Sequence, residues 1–128
     1  MADLSHLSHV LVLEDEAMIL LDIEQTMTDA GVARVSTAST VAEAMQALGG
    51  GERFDGAVLD LHLGPSGWSY DVARQLRALE IPFIFTSGTV SLAEGFQSVP
   101  LVNKPFSTDQ LVAALLDVSA DRTAEAAE

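Results

Sequence analysis

Five short runs of apolar and β-branched residues alternate with longer segments whose apolar positions recur every three or four residues. The runs are "HVLVL" (9–13), "ARVSTA" (33–38), "GAVLD" (56–60), "PFIFT" (82–86) and "PLVN" (100–103). Most are apolar almost throughout, as expected of parallel strands covered on both faces. Between them, Ile19, Leu20, Ile23 and Met27 mark a first helix, closed by Gly31. Val41, Ala44, Met45 and Leu48 mark a second, opened by a capping box of Thr40 and Glu43. Val72, Ala73, Leu76 and Leu79 mark a third. Leu111, Val112, Leu115 and Leu116 mark the last, with Ser107 and Gln110 as its capping box. The segment "SLAEGFQS" (91–98) contains Gly95 and promises two turns of helix at most, while "SADRTAEAAE" (119–128) is expected to fray. The pattern is (βα)5, an α/β chain. Right-handed crossovers make it a doubly wound five-stranded parallel sheet with a short fourth helix.

A chain of 128 residues, 48% hydrophobic, fits one domain with a real core. The absence of cysteine excludes disulfides, a thiolate zinc site and a thiol nucleophile. Runs such as "VLVL" and "MILL" are too short to cross a bilayer, and "MADLSHLSH" has no basic region of a secretory signal. No membrane association is expected, and a cytoplasmic location is. The net charge of −13, with six scattered basic residues, argues against nucleic acid and suits cations or protein partners. His6 and His9 read as N-terminal polar residues rather than a metal site.

In doubly wound sheets, ligands bind beyond the carboxyl ends of the strands. Strand 1 ends in Glu14, Asp15 and Glu16, strand 3 in Asp60, strand 4 in Thr86 and Ser87, strand 5 in Lys104. Lys104 is the only lysine in the chain. Each residue has a plain structural reading: Glu16 a first-turn charge, Asp60 a turn former, Ser87 a cap, Lys104 a solvated charge. Their joint placement at four strand ends is harder to explain that way. Converging carboxylates repel unless a cation joins them, and Mg²⁺ accepts a partly hydrated site with few carboxylates.

Four motifs in this order resemble the receiver domain of bacterial two-component response regulators, over about residues 9 to 117. They are the acidic pair of "LVLEDE", the aspartate of "AVLDLHLG", the hydroxyl and small residue of "FIFTSG", and "NKPF". The resemblance implies a flavodoxin-like sheet of strand order 2-1-3-4-5. It implies that Asp60 is the phosphoacceptor, that Asp15 binds Mg²⁺ directly and that Glu14 acts through water. The His62 backbone carbonyl would complete the metal shell, in which Mn²⁺ could substitute. Ser87, five residues after Pro82 and so preferred to Thr86, would bind the phosphoryl group with Gly88 and Lys104. Pro105 would follow a cis bond.

"FTSG" is similar to the Phe-Ala-Thr-Gly of the FATGUY receivers, with Thr86 at the alanine position and Ser87 at the threonine. That subgroup implies a stand-alone receiver serving a histidine kinase of the HWE or a related class, often in general stress signalling. The expected organisation is an N-terminal extension (1–8), a receiver domain (9–118) and a flexible acidic tail (119–128). Output would pass through protein contacts or phosphorelay. The protein would not be an enzyme, although it assists its own phosphorylation and dephosphorylation. A pseudo-receiver that binds partners without phosphorylation is the alternative. A haloacid-dehalogenase-type phosphatase would need an acid where His62 stands, and in a flavodoxin "EDEA" would repel the FMN phosphate. Leu101 stands where many receivers carry a switching aromatic, and the short crossover after strand 4 holds Gly88, Gly95 and Pro100, so 88–99 is expected to be the least protected internal segment and to order on phosphorylation.

Overall fold

The computed structural model describes residues 3–88 and 95–127, with side chains as far as residue 119. Among these residues, five strands form one parallel sheet: His9–Leu13 (β1), Arg34–Ala38 (β2), Gly56–Asp60 (β3), Phe83–Ser87 (β4) and Leu101–Asn103 (β5). Their order is β2-β1-β3-β4-β5, the flavodoxin-like order. Every residue of β1, β3 and β4 is buried, because helices cover both faces of these inner strands.

Alternation along the strands divides the core in two. Leu11, Leu59, Phe83 and Phe85 face α2 (Val41–Gly49) and α3 (Tyr70–Ala78), meeting Ala44, Leu48, Val72 and Leu76. Val10, Val12, Val58, Ile84 and Val102 face α1 (Ala17–Asp29) and α4 (Thr108–Ala127), meeting Ile23, Met27, Leu111 and Leu115. This parity decides which strand-end residues share a face.

The caps form where the sequence places them. The Glu43 amide donates to Thr40 Oγ1 at 3.1 Å, and the Glu43 carboxylate reaches back to the Ser39 amide at 2.7 Å. Ser107 and Gln110 cap α4 reciprocally at 2.8 and 3.1 Å. Gly31 follows α1 with φ of 106°, and a Cβ there would meet Ser5 Cβ at 3.1 Å. Only glycine suits both conditions.

Four local expectations change. Leu79, placed by its spacing on the buried stripe, terminates α3 and is 44% exposed. Residues 3–8, expected as an N-terminal extension, pack against the domain: Leu4 and Leu7 are buried beside α1 and α4, and the Leu4 amide donates to the Ala30 carbonyl at 2.7 Å. His9 is buried too, and stacks on Phe54 at 4.1 Å. Its Nδ1 donates to the Arg53 carbonyl at 3.0 Å, and its Nε2 is hydrogen-bonded with the Ser36 hydroxyl at 2.6 Å. Finally, α4 continues to Ala127, through most of the stretch expected as a tail. Alanine and glutamate there are strong helix formers, which outweighs the lack of an apolar stripe.

Half of the expected short helix, 91–94, lies outside the described residues, as does half of segment 88–99; the described residues 95–98 form turns. Among the described residues, no helix is long and apolar enough to cross a membrane.

Candidate functional site

A carboxylate on the α1/α4 face can stay near the sheet only where the strand ends and another polar group meets it. Glu14 and Asp60 meet that condition. Glu14 continues the Val10, Val12 parity one step past β1, and its amide donates to the Ala38 carbonyl at 3.0 Å. Asp60 continues the parity of Val58 at the end of β3. Their exposures are 0% and 5%. Asp15, by contrast, is exposed at the turn into α1. Glu14, Asp15 and Asp60 each offer a carboxylate oxygen, all within 4.8 Å of one another. The set suits a hard divalent cation.

Lys104 comes from the far side of this group. Its amide donates to the Ser87 carbonyl at 2.8 Å, extending the ladder one residue past β5. Its Nζ lies 2.9 Å from Glu14 Oε1 and 3.2 Å from Asp60 Oδ2. The other oxygen of Glu14 accepts from the Glu16 amide at 3.1 Å, so Glu14 itself serves the first turn of α1, where Glu16 makes no side-chain cap. The Lys104–Pro105 bond is cis.

The electrostatics follow from burial. Desolvation pushes the Glu14 carboxyl up to about 7, against the pull of Lys104 and the Glu16 amide. Asp60 is also raised, again by burial first, with Lys104 opposing. Desolvation lowers Lys104, but Glu14 and Asp60 outweigh it and hold the ammonium above its ordinary range. Two buried carboxylates thus share one ammonium with the exposed Asp15 beside them, a deficit of positive charge that a divalent cation would relieve.

The remaining residues lie around this centre. Ser87 ends β4 at 3% exposure, with Gly88 exposed beyond it. A Cβ on Gly88 would meet nothing within 4 Å, so a ligand could approach its backbone. His62 pairs with Trp68 across a small antiparallel bridge. That bridge uses the Leu63 amide and the Leu61 carbonyl, at 2.8 and 3.0 Å, and leaves the His62 carbonyl out of the ladder. Gly64 follows at φ 56°, its missing Cβ 3.5 Å from Asp15 Oδ2.

A row of rings escaped the sequence reading. His62 meets Trp68 edge-on at 4.6 Å, and Trp68 stacks on Tyr70 at 6.0 Å. Tyr70 packs on Phe85 and Phe96 at 5.9 and 5.2 Å. The ring beside β4 therefore comes from α3, while the position on β5 is the half-buried Leu101. The signal was present in the spacing of Trp68 and Tyr70, but nothing in one dimension says which strand a ring will face. Thr86 stands at the same strand end as Ser87, the residue preferred to it as the phosphoryl ligand. It is fully buried and pairs in register with Asp60.

No protein-family model and no curated protein matches the chain. Solved structures do. The chain is similar to a response regulator receiver protein from Sinorhizobium medicae WSM419, with a TM-score of 0.82 and 32% identity over 90% of this chain and 96% of that one. It is similar to SdrG from Sphingomonas melonis Fr1, with a TM-score of 0.74 and 32% identity over 91% and 99% of the two chains. The response regulator PhyR from Brucella abortus matches at 28% identity with a TM-score of 0.77, over 92% of this chain and 50% of that one.

Proposed function

The chain belongs to the response-regulator receiver family, and from that premise we propose that it accepts a phosphoryl group on Asp60 from a histidine kinase in a Mg²⁺-dependent reaction. The observation that carries this reading is Lys104 Nζ held between Asp60 and Glu14, at 3.2 and 2.9 Å, beside the exposed Asp15. Asp15, Asp60 and the His62 carbonyl would hold the Mg²⁺, with Glu14 acting through a bound water. Mn²⁺ could replace it. When bound, the cation supplies electrostatic stabilisation of phosphoryl oxygens.

An Asp60 carboxylate oxygen attacks the phosphorus of a phosphohistidine as the phosphorus–nitrogen bond breaks. The leaving imidazole keeps the bonding pair and later takes a proton. The transition state spreads negative charge over its equatorial oxygens. Lys104 meets that charge as a point charge on a flexible stem, and the Ser87 hydroxyl and Gly88 amide donate to it. Attack of water on the acyl phosphate resets the site.

The Phe85-Thr86-Ser87-Gly88 sequence supports a FATGUY-type receiver. On this reading its kinase is of the HWE or a related class and its output, in general stress signalling, runs through protein contacts or phosphorelay in the cytoplasm. Intact mass spectrometry after incubation with acetyl phosphate and Mg²⁺ tests the core of the proposal. The wild type is expected to gain one phosphoryl group that Asp60→Asn does not. Equal labelling of both proteins would move the acceptor elsewhere, and no labelling of either would favour a phosphorylation-independent binding module.

A further inference from the structure

Two buried side-chain oxygens, among the described residues, lack a hydrogen-bond partner: Glu14 Oε1 and Thr86 Oγ1. The 2.9 Å approach of Lys104 Nζ to Glu14 Oε1 is thus a contact of charges without directed hydrogen-bond geometry. Both oxygens belong to the same face of the sheet. Thr86 shares the parity of Ile84, as Glu14 shares that of Val12 and Asp60 that of Val58. Lys104, two residues after Val102, has this parity as well.

The strand order fixes what lies between them. Lys104 leaves β5 and reaches Asp60 on β3 and Glu14 next to β1. Its stem must therefore cross the end of β4, where Thr86 stands opposite Asp60. A buried hydroxyl without a partner is destabilising, and alanine or valine would fill this position without that cost. The unpaired hydroxyl lies along the path of the one flexible cation in the site.

We propose that Thr86 is a positioning residue for Lys104, its hydroxyl receiving the ammonium when Mg²⁺ takes up the carboxylates. This rests on the reading of Glu14, Asp15 and Asp60 as a Mg²⁺ site, and adds where the displaced charge goes. An ammonium and a dication on the same carboxylates repel each other. Withdrawal by one strand spacing, about 4.8 Å, moves the ammonium from the β1/β3 side of Asp60 to its β3/β4 side. It keeps Asp60 and exchanges Glu14 Oε1 for Thr86 Oγ1. A hydroxyl can accept from the ammonium and still donate its own proton onward. The same shift gives Thr86 Oγ1 a partner and turns Glu14 Oε1 from the ammonium toward the cation's side.

Because Lys104 is the only lysine, lysine labelled with ¹⁵N at the side chain gives a single ammonium resonance. Mg²⁺ is titrated into the wild type, Thr86→Val, Thr86→Ala and Thr86→Ser while that resonance and the backbone amides are followed. Thr86→Val and Thr86→Ala are expected to bind Mg²⁺ about tenfold more weakly, the loss of one hydrogen bond to a charged group. Their ammonium signal broadens into exchange with water as Mg²⁺ is added, and Thr86→Ser restores both properties. Without Mg²⁺, Thr86→Val is expected to be at least as stable as the wild type. A Thr86→Val protein with wild-type Mg²⁺ affinity and ammonium signal overturns this proposal alone. One that is less stable without Mg²⁺ also overturns it, by showing the hydroxyl to be bonded already. A wild type that shows no Mg²⁺ response overturns both this proposal and the metal site beneath it.

Discussion

Glu80 ends α3 with φ of 60°, among the described residues the only non-glycine at positive φ. An L side chain there crowds its own backbone, whereas glycine does not. The side chain is exposed and the turn is closed by backbone bonds from Glu80 to the Arg77 carbonyl and from Ile81 to the Leu76 carbonyl, at 3.1 and 2.9 Å. Glu80→Gly is therefore expected to stabilise the fold by roughly 0.5–1 kcal/mol, less whatever the unfolded chain gains in freedom. Urea unfolding checks it, and a loss of stability would refute the assignment of strain. Gly31 and Gly64 already use this freedom. The first lets the N-terminal arm close on α1, and the second turns beside Asp15.

At the scale of elements, the N-terminal arm belongs to the core. Leu4 is fully buried beside Leu7, Ile23 and Met27, and the arm is further tied by His6 Nε2 to Ser119 Oγ at 2.8 Å. Leu4→Ala removes a side chain from a packed site and is expected to cost about 2–4 kcal/mol. Met18→Ala, on the outer face of α1 at 76% exposure, should cost no more than about 0.5 kcal/mol. Chemical denaturation of the two variants decides the matter. Equal effects would mean the arm contributes no more than a surface side chain. A second tie runs from α3 to the segment after β4: Arg77 donates to the Gly95 carbonyl at 2.9 Å and lies over the Phe96 ring at 4.5 Å. It anchors the described end of that connection to the helix that also carries Tyr70.

For the whole molecule, charge sets the pH dependence. The Glu14 carboxyl titrates near 7 in the fold against an ordinary 4.5. Between those values the folded protein holds more protons than the unfolded chain, so stability falls as pH rises through that window. Asp60, also raised, acts in the same sense, and the net charge of −13 adds self-repulsion. Lys104 stays protonated throughout and contributes no slope there. Without divalent cation, the protein is expected to be less stable at pH 8 than at pH 5, by on the order of 1–3 kcal/mol. Glu14→Gln should flatten this slope, and millimolar Mg²⁺ should recover stability at pH 8. Urea midpoints that rise from pH 5 to 8 would reverse the sign and refute it.

What the sequence determined by itself is whatever a one-dimensional period or an anomaly can carry. Apolar runs separated by helical spacing sufficed for the doubly wound sheet, because burial on both faces removes alternation from parallel strands. Glu14, Asp60 and Lys104 were legible because a charge at the end of a buried strand contradicts its surroundings. Thr40 and Ser107 were legible because a cap is completed within four residues. Thr86 was not, since threonine suits any strand and its hydroxyl becomes anomalous only once buried without a partner. Neither was the arm: "LSHL" has no period long enough to reveal that Leu4 and Leu7 meet α1 and α4. The row from His62 to Phe96 depends on which strand α3 lies against. These features join residues distant in the chain, and only the packing of helices on a sheet of fixed order brings their side chains within reach.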